Sequence, residues 1–204
     1  MEKKQLIDKL VEMEFEAFDK ARNVGGRAAC QNDWPTFQIM RTSQYLTWTE
    51  EMLESFIHDF EVANAKGWNL IAEKYARMME TTVPEEYKQI KNQLPVLSDW
   101  QKQVIEQIVA IQVDWMEEFS KEHPNISSRA RVIHTSEDRP DDTSYETYLR
   151  GELGTYSEDT LAKYAAFIVD LVGEKKNLAE MIMKNTIELY GYSSFEQVKE
   201  LEWV

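Results

Sequence analysis

Several charged side chains stand where the local pattern calls for apolar ones, and they are the groups through which this sequence offers chemistry. In MEKKQLIDKLVEMEFEAF, Leu6, Ile7, Leu10, Val11 and Phe18 share one arc of a helical wheel, and Glu14 falls inside that arc. A carboxylate there must be paired, hydrogen-bonded or protonated, unless it reaches solvent through a gap. On the helix marked by Phe37 and Met40, Arg41 and Gln44 lie on the aromatic face. On the helix marked by Tyr145, Tyr148 and Leu149, Glu152 does the same. Two readings stay open: an interior ion pair locking two parts of the fold, or an enclosed polar site. The expectation is that Glu14, Arg41, Gln44 and Glu152 converge, with the loop residues Arg27 and Arg129 at the mouth.

Two polar loops supply the other candidates. The first holds Asn23, Arg27, Cys30, Gln31 and Asp33; the second holds Arg129, Arg131, His134, Glu137 and Asp138. Long irregular loops often carry function, and clustered arginines suit a carboxylate or phosphate. Equally, loop arginines serve as plain surface charge. Cys30 has no evident histidine partner, so an inert thiol is favoured over a nucleophile. Glu73, Arg77 and Glu80 lie opposite Ile71, Tyr75, Met78 and Met79 and read as a salt-bridged surface stripe. His58 points away from Leu53, Phe56, Ile57 and Phe60, so it reads as solvated. His58, His123 and His134 are far apart, and no paired Glu-x-x-His motif occurs, so no metal site is expected. Phosphate-cradling glycine loops, a nucleophile elbow and HExxH are absent. No cofactor and no reaction type can be assigned, and whether the chain is an enzyme stays undecided.

The elements that would position these groups are helices. Apolar residues recur at helical spacing from Leu6 to Phe18, from Leu53 to Phe60, along NLIAEKYARMMET, from Trp100 to Phe119, and from Leu161 to Leu171. Thr49, Asn69, Ser98, Ser157 and Asn177 stand as N-caps, and Pro84 opens a short helix. No sustained period-two run with turn signals competes. The expectation is an all-α fold of about ten helices.

Thr36 and Ser144 begin two stretches that align without gaps at an offset of 144 − 36 = 108. TWTEEML faces TYSEDTL, NL faces NL, and YKQIK faces FEQVK. Matching caps, aromatics and helix lengths argue for an internal duplication with halves 1–95 and 96–204, forming one domain over 1–204. The first helices match less well, and the second loop is longer.

The totals set bounds on partners. With 23 Lys and Arg against 37 Asp and Glu, the formal net charge is −14, which disfavours phosphate backbones and anionic membrane surfaces. A single cysteine excludes an internal disulfide framework and fits a reducing compartment. The charged N-terminal stretch lacks a signal-peptide apolar core, and no stretch approaches the roughly 18 apolar residues of a membrane span. A cytoplasmic protein binding neither nucleic acid nor membrane is expected; the oligomeric state is not legible.

NVGGRAACQNDWPTFQIMRTSQYLTW, NLIAEKYARMMETT and SYETYLRGELGTYSEDTL resemble an uncharacterised bacterial domain-of-unknown-function family, DUF 4125, over nearly the whole chain. The resemblance implies a small standalone cytoplasmic protein and carries no catalytic assignment. It adds interest to Arg27, Cys30, Gln31, Arg41, Arg77 and Glu152, which sit inside the matching strings. The leading expectation is a site for a small polar or anionic molecule between the halves, binding or catalytic. The alternative is a helical interaction or regulatory module without catalysis.

Overall fold

Capping residues set where each helix begins. In the computed structural model, which describes residues 1–22, 26, 29–128 and 130–198, side chains of Asp33, Thr49, Asn69, Ser98, Ser144, Ser157 and Asn177 each accept a hydrogen bond from a first-turn backbone N–H. The helices are α1 (Lys3–Lys20), α2 (Trp34–Tyr45), α3 (Glu50–Ala65), α4 (Leu70–Thr82), α5 (Pro84–Ile90), α6 (Asp99–Glu122), α7 (Pro124–Ser127), α8 (Tyr145–Leu153), α9 (Glu158–Glu174) and α10 (Leu178–Leu189). Among the described residues there is no strand, only an isolated bridge between Arg139 and Asp142, so the fold is all-α with ten helices. No described helix is long and apolar enough to cross a membrane.

The element bounds recur at the offset read from the sequence. α3 starts at Glu50 and α9 at Glu158; α4 starts at Leu70 and α10 at Leu178, each 108 residues on (158 − 50 and 178 − 70). The turns closing α3 and α9 also correspond. Trp68 N–H donates to the Ala63 carbonyl and Lys176 N–H to the Leu171 carbonyl, each at 2.9 Å. Both closures pass through a left-handed residue, Gly67 at φ 67° and Lys175 at φ 55°. A lysine accepts there the conformation that a glycine adopts more cheaply.

Packing follows the same exchange. α4 lies on α8, and α10 on α2; α1 lies on α3, and α6 on α9; α3 and α9 pack on each other. Asn69 donates from its side chain to the Ala17 carbonyl at 2.8 Å, and Asn177 to the Trp115 carbonyl at 2.9 Å. Those carbonyls are 115 − 17 = 98 residues apart, not 108. At that spacing the buried Ile7, Leu10, Val11 and Glu14 of α1 fall against the buried Ile105, Ile108, Val109 and Gln112 of α6. That spacing is shorter by 108 − 98 = 10 residues than the one between the later helices. The longer segment between α6 and α8 takes up the difference.

One apolar core runs through both parts of the chain. Leu6, Leu10, Tyr45, Trp48, Leu53 and Phe56 are joined in it by Leu153, Tyr156, Leu161 and Ile168. Trp48 stands at its middle, in ring contact with Tyr45, Phe56, Tyr156 and Tyr164. Truncating such buried leucines to alanine costs about 2–5 kcal/mol each.

Candidate functional site

Four helices deliver charge to one enclosed place in this core. α1 contributes Glu14, α2 Arg41, α4 Lys74 and α8 Glu152, with relative exposures of 1%, 8%, 3% and 5%. Arg41 Nε and Nη2 donate to the two oxygens of Glu14, both at 2.7 Å, a bidentate pair. Arg41 also donates to Glu152 through Nη1 and Nη2, both at 3.3 Å, and to the Tyr45 hydroxyl at 2.8 Å. Lys74 Nζ donates to Glu152 at 2.7 Å and sits 3.5 Å from the Tyr148 ring centroid. Gln44 bridges the two sides: its carbonyl accepts from Arg41 at 2.9 Å, and its amide nitrogen donates to Glu152 at 2.9 Å. The Tyr156 hydroxyl donates to Glu152 at 3.2 Å.

Electrostatics follow from this pairing. Burial by itself would raise the Glu152 carboxyl, but the charges of Arg41 and Lys74, with the hydrogen bonds from Lys74 and Gln44, outweigh it and hold the group well below the usual carboxylate range. Burial likewise works against the Arg41 charge, and Glu14 and Glu152 overcome it, so the guanidinium stays charged. The phenols of Tyr45 and Tyr156 are pushed upward mainly by burial and stay neutral donors and acceptors.

Glu14, Arg41, Gln44 and Glu152 therefore meet, as their places on the helical wheels lead one to expect. Lys74, Tyr45, Tyr148 and Tyr156 complete the site and were missed. A signal for Lys74 was present: it is one turn from both Leu70 and Met78, on a buried stripe.

The remaining candidates divide. Arg131, an exposed residue, places its guanidinium 4.9 Å from the Tyr148 ring centroid, beside the network. Cys30 is exposed. Gln31 is buried, and its amide donates to the Phe18 and Ala21 carbonyls at 2.6 and 3.0 Å, closing the end of α1. Arg27 and Arg129, and with them Asn23, lie outside the described residues.

Arg77 belongs to a different place, and the surface-stripe reading of its helix needs correction. Glu73 is buried, accepting from the Trp68 indole at 2.5 Å and from Arg77 at 2.7 and 2.9 Å. The reason is that α4 packs against α1, α5 and α8, so more than one of its sides is covered. Glu80 alone of that set is exposed. Arg77 also donates to the Pro95 carbonyl at 2.9 Å and lines an open cleft of about 330 Å³ with Tyr87, Ile105, Thr147 and Arg150. His58 is exposed, as its place on α3 implies. Among the described residues no group of three or more His, Cys, Asp or Glu is placed to hold a metal ion.

The residues that stand 98 and 108 places further along the chain differ in kind. At the spacings found above, Gln112 stands for Glu14, Leu149 for Arg41 and Ile182 for Lys74. Gln112 makes neutral hydrogen bonds there, donating to the Tyr164 hydroxyl at 3.1 Å and accepting from Tyr145 at 3.3 Å.

Among known families, the one described as "Protein of unknown function (DUF4125)" matches residues 4–200. No curated protein and no solved structure matches the chain.

Proposed function

The chain belongs to the DUF4125 family, and we propose that its two halves arose by duplication and that the charged network between them, with Glu14, Arg41 and Lys74 from one and Glu152 from the other, is a site for a small polar or anionic molecule. The observation that carries this reading is the contrast between the halves. Where one uses Glu14, Arg41 and Lys74, the other fills the matching positions with Gln112, Leu149 and Ile182. The architecture thus packs without this ion network. Apolar replacements for buried ion pairs are often neutral or stabilising, so fold stability alone gives little reason to keep two carboxylates, a guanidinium and an ammonium buried together. A role in recognition or chemistry does.

Access past Tyr148 and Arg131 fits the reading, because Arg131 pairs with no carboxylate among the described residues. The net charge of −14 disfavours a nucleic-acid partner.

The test is a variant carrying the other half's residues: Glu14→Gln, Arg41→Leu and Lys74→Ile, with Glu152→Gln to match Gln44. Wild type and variant are purified from the native host, and their small-molecule content is compared by mass spectrometry after denaturation. The expected result is a folded variant of equal or higher unfolding midpoint that has lost a molecule carried by the wild type. A lower midpoint with unchanged small-molecule content would mean that the network only locks the helices together.

A further inference from the structure

The network is electrically balanced: Arg41 and Lys74 supply two positive charges, Glu14 and Glu152 two negative ones. Its bonds are unequal. Arg41 holds Glu14 at 2.7 Å and Lys74 holds Glu152 at 2.7 Å, whereas both contacts between Arg41 and Glu152 measure 3.3 Å. The seam between Arg41 and Glu152 is the loosest ionic contact in the cluster.

Gln44 shows what chemistry suits that seam. Its amide spans it, the carbonyl accepting from Arg41 and the nitrogen donating to Glu152. An acceptor facing the guanidinium beside a donor facing the carboxylate is the neutral counterpart of a carboxylate next to an ammonium.

Trp48 supplies a second, independent observation. Its ring packs edge-on against Tyr45, which accepts from Arg41, and against Tyr156, which donates to Glu152, with centroids 5.0 and 6.0 Å apart. Trp48 is 1% exposed, and among the described residues its Nε1 is the one buried side-chain nitrogen or oxygen with no hydrogen-bond partner. Buried donors rarely go without an acceptor.

We infer that the ligand of the site proposed above is a small zwitterion of the α-amino-acid type, seated at the Arg41–Glu152 seam. Its carboxylate faces Arg41 and the Trp48 indole N–H, and its ammonium faces Glu152. This inference rests on the reading of the network as a ligand site. Two long ionic contacts are exchanged for shorter charge-assisted hydrogen bonds, and the enclosed charge stays at zero. A lone anion or a lone cation would leave an unbalanced charge in the interior, which is strongly disfavoured.

The experiment titrates the full chain with each standard amino acid and with singly charged or anionic probes: propionate, ethylamine and inorganic phosphate. Thermal unfolding reports binding, and the indole N–H resonance of Trp48, assigned with Trp48→Phe, reports its place. At least one amino acid should raise the unfolding midpoint saturably and move the Trp48 resonance, with propionate and ethylamine doing neither. Trp48→Phe should weaken binding about ten-fold or more, the loss of one hydrogen bond to a charged group. Equal binding of propionate or phosphate would overturn the zwitterion and leave the site itself standing. Failure of every amino acid would overturn it too, while the comparison of co-purified molecules still judges the site. So would an amino acid that binds the four-substitution variant undiminished, because its place would then lie elsewhere.

Discussion

Gln44 and Glu152 hydrogen-bond to each other at 2.9 Å although they occupy the same position in the two proposed halves, 152 − 44 = 108 residues apart. Trp48 and Tyr156, one turn further on and at the same offset, are in ring contact. Equivalent residues of a two-fold arrangement touch only along its axis. The charged network thus begins at the proposed axis and extends to one side of it, towards Glu14 and Lys74, while the other side is apolar apart from Gln112 and its tyrosines.

Removing one charge should hurt more than removing all four. Arg41→Leu alone leaves Glu14 and Glu152 buried without their guanidinium, and an uncompensated buried charge costs about 3–5 kcal/mol. Adding Glu14→Gln, Lys74→Ile and Glu152→Gln should recover that loss and return the stability to the wild-type level or above it. Urea unfolding of the single and the fourfold variant measures both. A fourfold variant less stable than the single would show that the network is indispensable to packing.

Acid should uncouple the same network. Burial opposes the depressed Glu152 carboxyl, but Arg41 and Lys74 prevail, so its value in the fold lies below its ordinary 4.5. A group depressed in the fold contributes stability that is fully present above the unfolded value and is lost as pH falls through the folded one. Stability should therefore decline progressively from about pH 5 downward. Glu152→Gln should flatten that decline. Parallel slopes for the two proteins would assign the acid sensitivity to other carboxylates.

Three glycines should respond to alanine with different signs. A Cβ on Gly151 would stand 2.8 Å from Met78 Cγ and 3.1 Å from the Lys74 carbonyl oxygen, so the close approach of α8 to α4 depends on its absence. Gly151→Ala should cost about 1–3 kcal/mol. On Gly154 a Cβ would meet Arg77 Cδ at 2.7 Å, within a flexible side chain, and should displace Arg77 from Glu73 at smaller cost. Gly173, in α9, has nothing within 4 Å, and Gly173→Ala should stabilise by about 0.5–1 kcal/mol. Thermal unfolding of the three variants ranks them.

Asn69 and Asn177 each cap a helix and reach back to a carbonyl of an earlier helix, α1 and α6 respectively. Asn69→Ala and Asn177→Ala should each cost about 1–2 kcal/mol. Equal costs would support equivalent roles in the two halves. A much smaller loss at one site would mean that only the other asparagine holds its long helix in place.

Much of the site was legible because burial leaves a periodic trace. Glu14 interrupts an apolar arc, and Arg41, Gln44 and Glu152 lie on aromatic faces, so each announced itself on its own helix. Arg77 and Glu73 misled for the same reason. One apolar stripe on α4 suggested a single covered side, and a helix packed by α1, α5 and α8 buries polar groups that a one-sided wheel sends to solvent. Gln31 has a place that no local pattern announces: its amide donates to the Phe18 and Ala21 carbonyls at the end of α1.

By itself the sequence determined the helical class, the starts of most helices and the four off-pattern side chains, because capping and amphipathic periodicity act within a few residues of chain. Only the tertiary structure decided the register of α6 relative to α1, and that Lys74 and three tyrosines join the network. It also decided that the Trp48 indole is left without an acceptor. These depend on which helix faces meet across the core, and two helices of similar pattern can be set against their neighbours in more than one register until packing selects one.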